Sequence, residues 1–330
     1  MSYACPWGKV ESCINIKIKG GVLIEISSAS DAYCEEVEGI GGHHFVYCGA
    51  LAHGRARFGY FSSLPHFRKK ADEKVTGWRF ATADEKLPGE NVTPDPLHPD
   101  FTHLRQIYFF VNPDYTGRFT VPTLYDKKTN QIVSNESSEI IRMFYTEFDE
   151  LLPQKYRDVV LLPDNLKAAI EETNEWTYND INNGVYKSGF ATTQEAYEKA
   201  VTQLFRSLDR AEQHLRSSPG PYYFGPHITE ADVRLYTTIV RFDPVYVQHF
   251  KCNVRDIRSG YPAIHRWVRT LYWDVPAFGQ TTQFEHIKKH YTKSHSQINR
   301  FAITPVGPEK DILGKEEEVE AVRFALGQQK

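Results

Sequence analysis

Four segments between residues 155 and 295 place apolar side chains at helical spacing, and short polar or proline-containing loops separate them. These segments span residues 166–182, 193–217, 229–246 and 263–272. The third begins with a capping box formed by Thr229 and Asp232. Helices joined by short loops pack as a bundle, so the sequence predicts an all-α domain over residues 151–300.

A different pattern precedes the helical segments. Residues 119–125 and Ile132-Val133 predict two strands joined by a turn, and residues 137–148 predict an amphipathic helix. Leu104–Val111 fits either a short helix or a buried strand. The order strand, turn, strand, helix is that of the C-terminal half of a thioredoxin-like unit, although the periodicity alone also permits other α/β folds.

Residues 8–75 form an anomalous segment with no sustained period, except for an alternating hairpin pattern at residues 14–26 around Gly20-Gly21. We therefore expect an α/β domain over residues 1–150 whose first βα part is atypical or missing. A polar tail follows the helical domain at residues 301–330, and its charge run at 315–320 is typical of a solvated surface. The length of 330 residues agrees with two domains.

Charge and composition exclude several classes of protein. The chain has 39 Lys and Arg against 42 Asp and Glu, a net charge of −3, which argues against a nucleic-acid partner. No apolar run is long enough for a membrane span, and the first residues do not form a signal or organellar targeting peptide. The five irregularly spaced cysteines favour a reduced setting, cytosolic or organellar, over a disulfide framework, and without a visible targeting segment we expect a cytoplasmic protein. We expect no metal, because none of the cysteines and histidines between residues 34 and 53 has zinc-ligand spacing.

Cys5-Pro6 is a candidate nucleophile. Proline suits the first turn of a helix, and a helix N-terminus lowers the pKa of a cysteine and so favours its reactive thiolate. The alternative is an ordinary cysteine in a terminal segment. The dipeptide alone does not separate the two interpretations.

Three further segments carry candidate ligand contacts. Thr120-Val121-Pro122 follows an extended run; a cis proline there would free backbone groups to pair with a peptide, whereas a trans proline would mark an edge strand. Residues 135–138 can cap a helix and can also hold a ligand carboxylate on the first-turn N–H groups, with Glu136 facing an ammonium group. Tyr186 could donate a proton, although most of the 19 tyrosines pack structurally.

Together these segments resemble the glutathionyl-hydroquinone reductases, the xi-class, omega-like glutathione transferases. The likeness runs from about residue 77 to residue 308, after an isolated match at Cys5. The matching strings are ACPW at 4–7, GWRF at 77–80, DYTGR at 114–118 continuing to VP at 121–122, NESSEI at 135–140, NNGVYK at 182–187, RFDPVY at 241–246 and HIKKHY at 286–291.

The resemblance implies a thioredoxin-like glutathione-binding domain followed by the glutathione-transferase helical bundle, in a homodimer. It implies that glutathione is the co-substrate and that Cys5 attacks glutathionyl-hydroquinones to form a mixed disulfide, with Tyr186 as proton donor or acceptor. Tyr246 and Tyr291 would line the site and stabilise the thiolate. The positions that match glutathione-binding residues are Trp78, Arg118, Phe119, Thr120, Val121, Glu136 and Ser137.

The chain departs from the family over residues 8–70. If the first strand and helix of the thioredoxin-like unit are missing, the strand at 119–125 lacks a neighbour on one edge, and Cys5 lacks its activating helix. Two alternatives therefore stay open. One is an omega-like thioltransferase or dehydroascorbate reductase, and the other is an inactive glutathione-fold binding module.

Overall fold

The computed structural model describes two compact units. The helical unit comprises residues 160–279 and 305–317, and the sheet unit comprises the described residues from 15 to 159 together with 280–304. The predicted domain limits at residues 150 and 300 stay predictions. The described residues are 15–16, 24–25, 44–51, 55–62, 64–65, 78–80, 95, 97–120, 122–126, 129–147, 154–282, 284–295 and 297–317.

The sheet unit begins with short antiparallel pairs. Strands β1 (Asn15–Ile16) and β2 (Ile24–Glu25) pair antiparallel, which confirms the predicted hairpin. Strands β5 (Leu64–Pro65) and β6 (Trp78–Arg79) form a second antiparallel pair.

A four-stranded sheet organises the rest of this unit. Its strands are β3 (His44–Leu51), β4 (Arg55–Ser62), β7 (Leu124–Asp126) and β8 (Gln131–Ser134), in the order β4-β3-β7-β8. β3 runs parallel to β7 and antiparallel to β4, while β8 is antiparallel to β7. The expected unpaired edge was therefore wrong, because a strand from the segment without clear periodicity pairs with β7.

The strand predicted at residues 119–125 is shorter than expected, since β7 begins only at Leu124. Pro122 has no backbone N–H to contribute to a ladder. The Thr120 carbonyl instead accepts hydrogen bonds from the side chains of Tyr108 and Thr123. These bonds hold the described residues 117–120 and 122–123 against the core outside any strand.

Four helices complete the described part of the sheet unit. Helix α1 (Leu104–Val111) resolves the ambiguity between helix and strand, and α2 (Ser137–Thr146) confirms the amphipathic helix. A short helix α3 spans Gln154–Arg157, and α12 spans Phe284–Ser294 and contacts β5. The buried core beside α1 contains Phe80, Leu104, Ile107, Tyr108 and Tyr125.

The helical unit contains the four predicted helices, two of them followed by π-helical turns. Its π-helices span Tyr178–Asn182 and Phe242–Tyr246. Its α-helices are α4 (Lys167–Thr177), α5 (Gly184–Gly189), α6 (Gln194–Ser217), α7 (Glu230–Ile239), α8 (Val247–His249), α9 (Ile257–Gly260), α10 (Pro262–Asp274) and α11 (Pro276–Gly279). None of the helices in the described part of the chain is long and apolar enough to cross a membrane.

Residues 310–317, called the strap below, lie against the helical unit. Arg258 donates to the carbonyls of Lys310 and Asp311, and Trp273 donates to that of Leu313. One nitrogen of Arg269 contacts three further carbonyl oxygens of the strap, those of Gly314, Lys315 and Glu317. The polar tail therefore contains a segment whose backbone is bound by two half-buried arginines and by the exposed Trp273.

Candidate functional site

Helix α1 carries the residue around which the candidate site of the sheet unit is organised. The Gln106 side-chain oxygen accepts from the backbone N–H groups of Thr102 and His103 and so closes the helix start. Leu104, Ile107 and Tyr108 lie on the buried face of the helix, at helical spacing. This placement directs the phenol of Tyr108 into the interior of the unit.

The Tyr108 hydroxyl joins two segments that are distant in sequence. It donates to the Thr120 carbonyl at 2.7 Å and lies 3.1 Å from the Thr123 hydroxyl. It also accepts from the Asn135 amide at 3.3 Å, and that amide donates to the Thr120 hydroxyl at 2.7 Å. Burial raises the pKa of Tyr108, so the phenol keeps its proton at neutral pH.

The start of helix α2 lies next to this network. Glu136 is the exposed N-cap residue, and its carbonyl accepts from Glu139 and Ile140. No side chain caps the helix from the Glu136 position, and Asn135 points to Thr120 instead. The expected cap by Asn135 is not formed; Ser134 instead holds the N-cap residue, because its hydroxyl accepts from the Glu136 N–H and donates to Glu139. Ser137 is buried in the first turn.

Arg118 lies in the loop before Thr120 with its side chain exposed. The Tyr115 hydroxyl donates to the Arg118 carbonyl at 2.8 Å and fixes the backbone there. A Cβ atom on Gly117 would lie 2.5 Å from that hydroxyl, so an alanine here would displace the Tyr115 phenol. The ring of Phe119 packs against the rings of Tyr108, Phe109 and Tyr115, and this packing holds the loop.

An aromatic cluster in the helical unit contains two of the predicted tyrosines. The half-buried ring of Tyr186 lies 6.1 Å from Tyr246 and 5.2 Å from Phe250, and the Tyr246 and Phe250 rings stack at 5.5 Å. Phe190 closes the cluster, 5.3 Å from Phe250. Gly189 allows this packing, because a Cβ atom there would lie 2.1 Å from Phe250.

The predicted site residues are therefore distributed over both units. The sheet unit holds Arg118, Phe119, Thr120, Glu136 and Ser137, and also Tyr291, which is fully buried in α12. The helical unit holds Tyr186 and Tyr246. Cys5 and Val121 lie outside the described residues, and of Trp78 only the backbone, in β6, is described.

Sequence reasoning missed Tyr108 as a member of the site. The helical spacing of Leu104, Ile107 and Tyr108 predicts that Tyr108 is buried. The local sequence does not indicate its hydrogen-bond partners, Thr120 and Asn135, which lie 12 and 27 residues away. Among the described residues, no group of three or more His, Cys, Asp or Glu side chains is arranged to hold a metal ion.

Comparisons with known proteins agree with this architecture. Residues 194–270 match the family of the glutathione S-transferase C-terminal domain. "Glutathione S-transferase omega-like 2" of Schizosaccharomyces pombe is 55% identical over 236 residues, which cover 71% of this chain and 75% of the relative. The Escherichia coli glutathionyl-hydroquinone reductase YqjG is 48% identical over 236 residues, covering 72% and 68%.

One solved structure is similar to this chain in both sequence and fold. The Xi glutathione transferase ECM4 from Saccharomyces cerevisiae, in complex with glutathione, superposes with a TM-score of 0.70 at 42% identity. The match covers 77% of this chain and 85% of that chain. The chain belongs to the xi-class, omega-like glutathione transferases, a family of enzymes that includes the glutathionyl-hydroquinone reductases.

Proposed function

We propose that this protein uses glutathione to reduce glutathionyl-hydroquinones, with Cys5 as the nucleophile. The observation that carries the proposal is the hydrogen bond from the Asn135 amide to the Thr120 hydroxyl, 2.7 Å long. It joins the loop and the helix start that the family resemblance assigns to glutathione. The relatives support the chemistry, since one is named a glutathionyl-hydroquinone reductase and another was solved with glutathione bound.

The charges of this region suit glutathione, which carries two carboxylates and one ammonium group. The exposed guanidinium of Arg118 would pair with one carboxylate in a bidentate manner. The first turn of α2 at Ser137 would bind the γ-glutamyl carboxylate, because the backbone N–H groups and the dipole of a helix start favour an anion. The exposed Glu136 carboxylate would pair with the ammonium group.

The reaction requires only thiol chemistry. The Cys5 thiolate attacks the sulfur of the substrate's thioether, so a sulfur–sulfur bond forms as the carbon–sulfur bond breaks. The electron pair leaves with the ring carbon, which takes up a proton and is released in the hydroquinone. A second glutathione thiolate attacks the mixed disulfide, frees Cys5 and leaves as glutathione disulfide. The two glutathione sulfurs lose two electrons in all, and the ring carbon gains them.

The aromatic cluster of the helical unit is suited to the other substrate. A quinol ring can stack on aromatic side chains, and Tyr186 and Tyr246 present phenols within one cluster. We assign Tyr186 as the proton donor to the ring carbon, since it is half-buried and keeps access to a ligand. Tyr246 and Tyr291 are proposed to stabilise the Cys5 thiolate.

The test compares two cysteine variants. Purified wild-type protein, Cys5→Ala and Cys252→Ala are incubated with glutathionyl-menadiol and glutathione, and menadiol and glutathione disulfide are quantified by chromatography. Cys252 is a matched control because it is fully buried, and burial raises its pKa to about 12. We expect Cys5→Ala to be inactive and Cys252→Ala to retain activity. Full activity of Cys5→Ala would refute the proposal.

A second candidate function follows from the relatives that are named omega-like glutathione transferases. A glutathione thioltransferase would use the same cysteine on mixed disulfides. Assaying the wild-type protein with the mixed disulfide of glutathione and 2-hydroxyethanethiol, alongside glutathionyl-menadiol, distinguishes the two. Turnover of the disulfide without release of menadiol would favour this candidate. The cytoplasmic location and the homodimer stay predictions.

A further inference from the structure

We propose that Tyr108 and Asn135 are positioning residues for glutathione, which fix the Thr120 peptide in the loop that the family resemblance assigns to the ligand. The inference rests on the proposed function. Thr120 directly precedes Val121, to which the family resemblance assigns a glutathione contact. Tyr108 is 2% exposed and lies behind the loop, so it acts through Thr120.

Counting hydrogens shows why the Thr120 peptide is fixed. The carbonyl oxygen of Thr120 accepts from the Tyr108 hydroxyl at 2.7 Å and from the Thr123 hydroxyl at 3.0 Å, which occupies both of its lone pairs. The Asn135 amide has two hydrogens, and it donates to the Tyr108 oxygen and to the Thr120 hydroxyl. Four hydrogens, two from Asn135 and one each from Tyr108 and Thr123, thus connect Thr120 to helix α1 and to the segment before α2.

This arrangement has a consequence for binding. An extended peptide ligand pairs with a backbone through free N–H and C=O groups. The Thr120 carbonyl already accepts two hydrogen bonds from the protein. A ligand therefore cannot pair with this carbonyl in a register shifted by one residue. A loop held in one conformation before the ligand arrives also loses less entropy on binding. Tyr108 and Asn135 would therefore raise the affinity for glutathione more than they accelerate the chemical step.

The experiment removes the hydrogen bonds and keeps the packing. Tyr108→Phe retains the ring, and Asn135→Asp replaces the amide donors by carboxylate oxygens. Tyr125→Phe is the matched control, because Tyr125 is also buried in this unit and donates one hydrogen bond to Asn130, away from Thr120. For each variant the glutathione Kd is measured by calorimetry, and KM for glutathione and kcat are measured with glutathionyl-menadiol. Thermal melts report folding.

We expect Tyr108→Phe and Asn135→Asp to raise both the Kd and the KM for glutathione by about tenfold, with kcat within about twofold of wild type. Tyr125→Phe should lower the melting temperature without changing the Kd. Wild-type affinity in folded Tyr108→Phe would overturn the inference and leave the proposed function standing. If Tyr108→Phe does not fold, Asn135→Asp alone decides, since Asn135 is half-buried. A wild-type protein that binds no glutathione would overturn both.

Discussion

The indole Nε1 of Trp267 donates a 2.8 Å hydrogen bond to Oδ1 of Asp232, and this bond connects helix α10 to the start of helix α7. The same oxygen accepts from the backbone N–H of Tyr223 at 2.7 Å. The other oxygen accepts from both the N–H and the hydroxyl of Thr229, which completes the capping box. One buried carboxylate thus starts a helix, anchors the preceding loop and attaches a neighbouring helix.

We predict that Asp232→Ala lowers the free energy of unfolding by about 3–5 kcal/mol, because three buried N–H donors lose their acceptor. Urea denaturation followed by circular dichroism measures the change. Glu195→Ala is the control, since Glu195 lies in the first turn of α6 with its side chain exposed, and it should cost less than about 0.5 kcal/mol. Equal effects of the two substitutions would show that the buried hydrogen bonds of Asp232 add no more to the free energy of unfolding than an exposed side chain does.

Glu212 of α6 caps helix α10 from a distance. Its Oε2 accepts from the N–H groups of Ala263 and Ile264 at 3.0 and 2.9 Å, and Arg216 pairs with Oε1. We predict that Glu212→Gln destabilises the protein by about 1–3 kcal/mol, because an amide NH₂ replaces one acceptor and the negative charge at the helix start is lost. Glu198→Gln, exposed on the same helix, is the control. Chemical denaturation of both variants tests the difference.

Two glycines at the ends of α5 should respond oppositely to alanine. In Gly189→Ala the new Cβ atom would lie 2.1 Å from the Phe250 ring, which must move, so we expect a loss of about 1–3 kcal/mol. In Gly184→Ala the Cβ atom would lie 3.5 Å from Leu204, an ordinary contact, and stability should be unchanged or slightly higher. Near-ultraviolet circular dichroism should also change for Gly189→Ala only. A neutral Gly189→Ala would contradict the tight packing of this cluster.

Acid should weaken the helical unit through its buried histidines. Burial, with the nearby charges of Arg269 and Arg258, lowers the pKa of His265 from 6.5 to about 4. Between these values the unfolded chain binds a proton that the native state does not, so stability is complete above pH 6.5 and is lost as the pH falls towards 4. Burial also lowers the pKa of His249 to about 4.

The urea midpoint should accordingly be lower at pH 5.0 than at pH 7.5. His265→Gln should reduce the difference between the two midpoints but not remove it, because His249 remains. An unchanged difference in His265→Gln would show that His265 does not contribute to the pH dependence.

Local sequence signals predicted the helical unit well. Thr229 and Asp232 are three residues apart, and their capping box forms as the spacing indicates. The same spacing could not predict that Tyr223 and Trp267 share the Asp232 carboxylate, because those contacts depend on how the helices pack. The capping residues alone determine where α7 starts, whereas tertiary packing determines which further groups bind the Asp232 carboxylate.

The sheet unit was harder to predict because its pairing is nonlocal. β3 pairs with β7 although more than 70 residues separate them in sequence, and Tyr47 lies opposite Tyr125. No local periodicity predicted strand β3. Asn135 was predicted from its sequence position to cap α2, but its amide instead donates hydrogen bonds to the hydroxyls of Thr120 and Tyr108. The family resemblance assigned the candidate glutathione contacts, whereas Tyr108, whose hydroxyl binds the Thr120 carbonyl, could be found only from the folded chain.

The strap, which is the last part of the described chain, is bound mostly through its backbone. Arg258, Arg269 and Trp273 hold carbonyl oxygens, which every amino acid possesses. Substitutions in the strap should therefore be tolerated where the side chain makes no contact of its own, unlike Lys315, which pairs with Asp274. A protease has to bind the backbone carbonyls of the peptide that it cleaves. The strap should therefore resist proteolysis as long as Arg258, Arg269 and Trp273 keep their hydrogen bonds to its carbonyl oxygens.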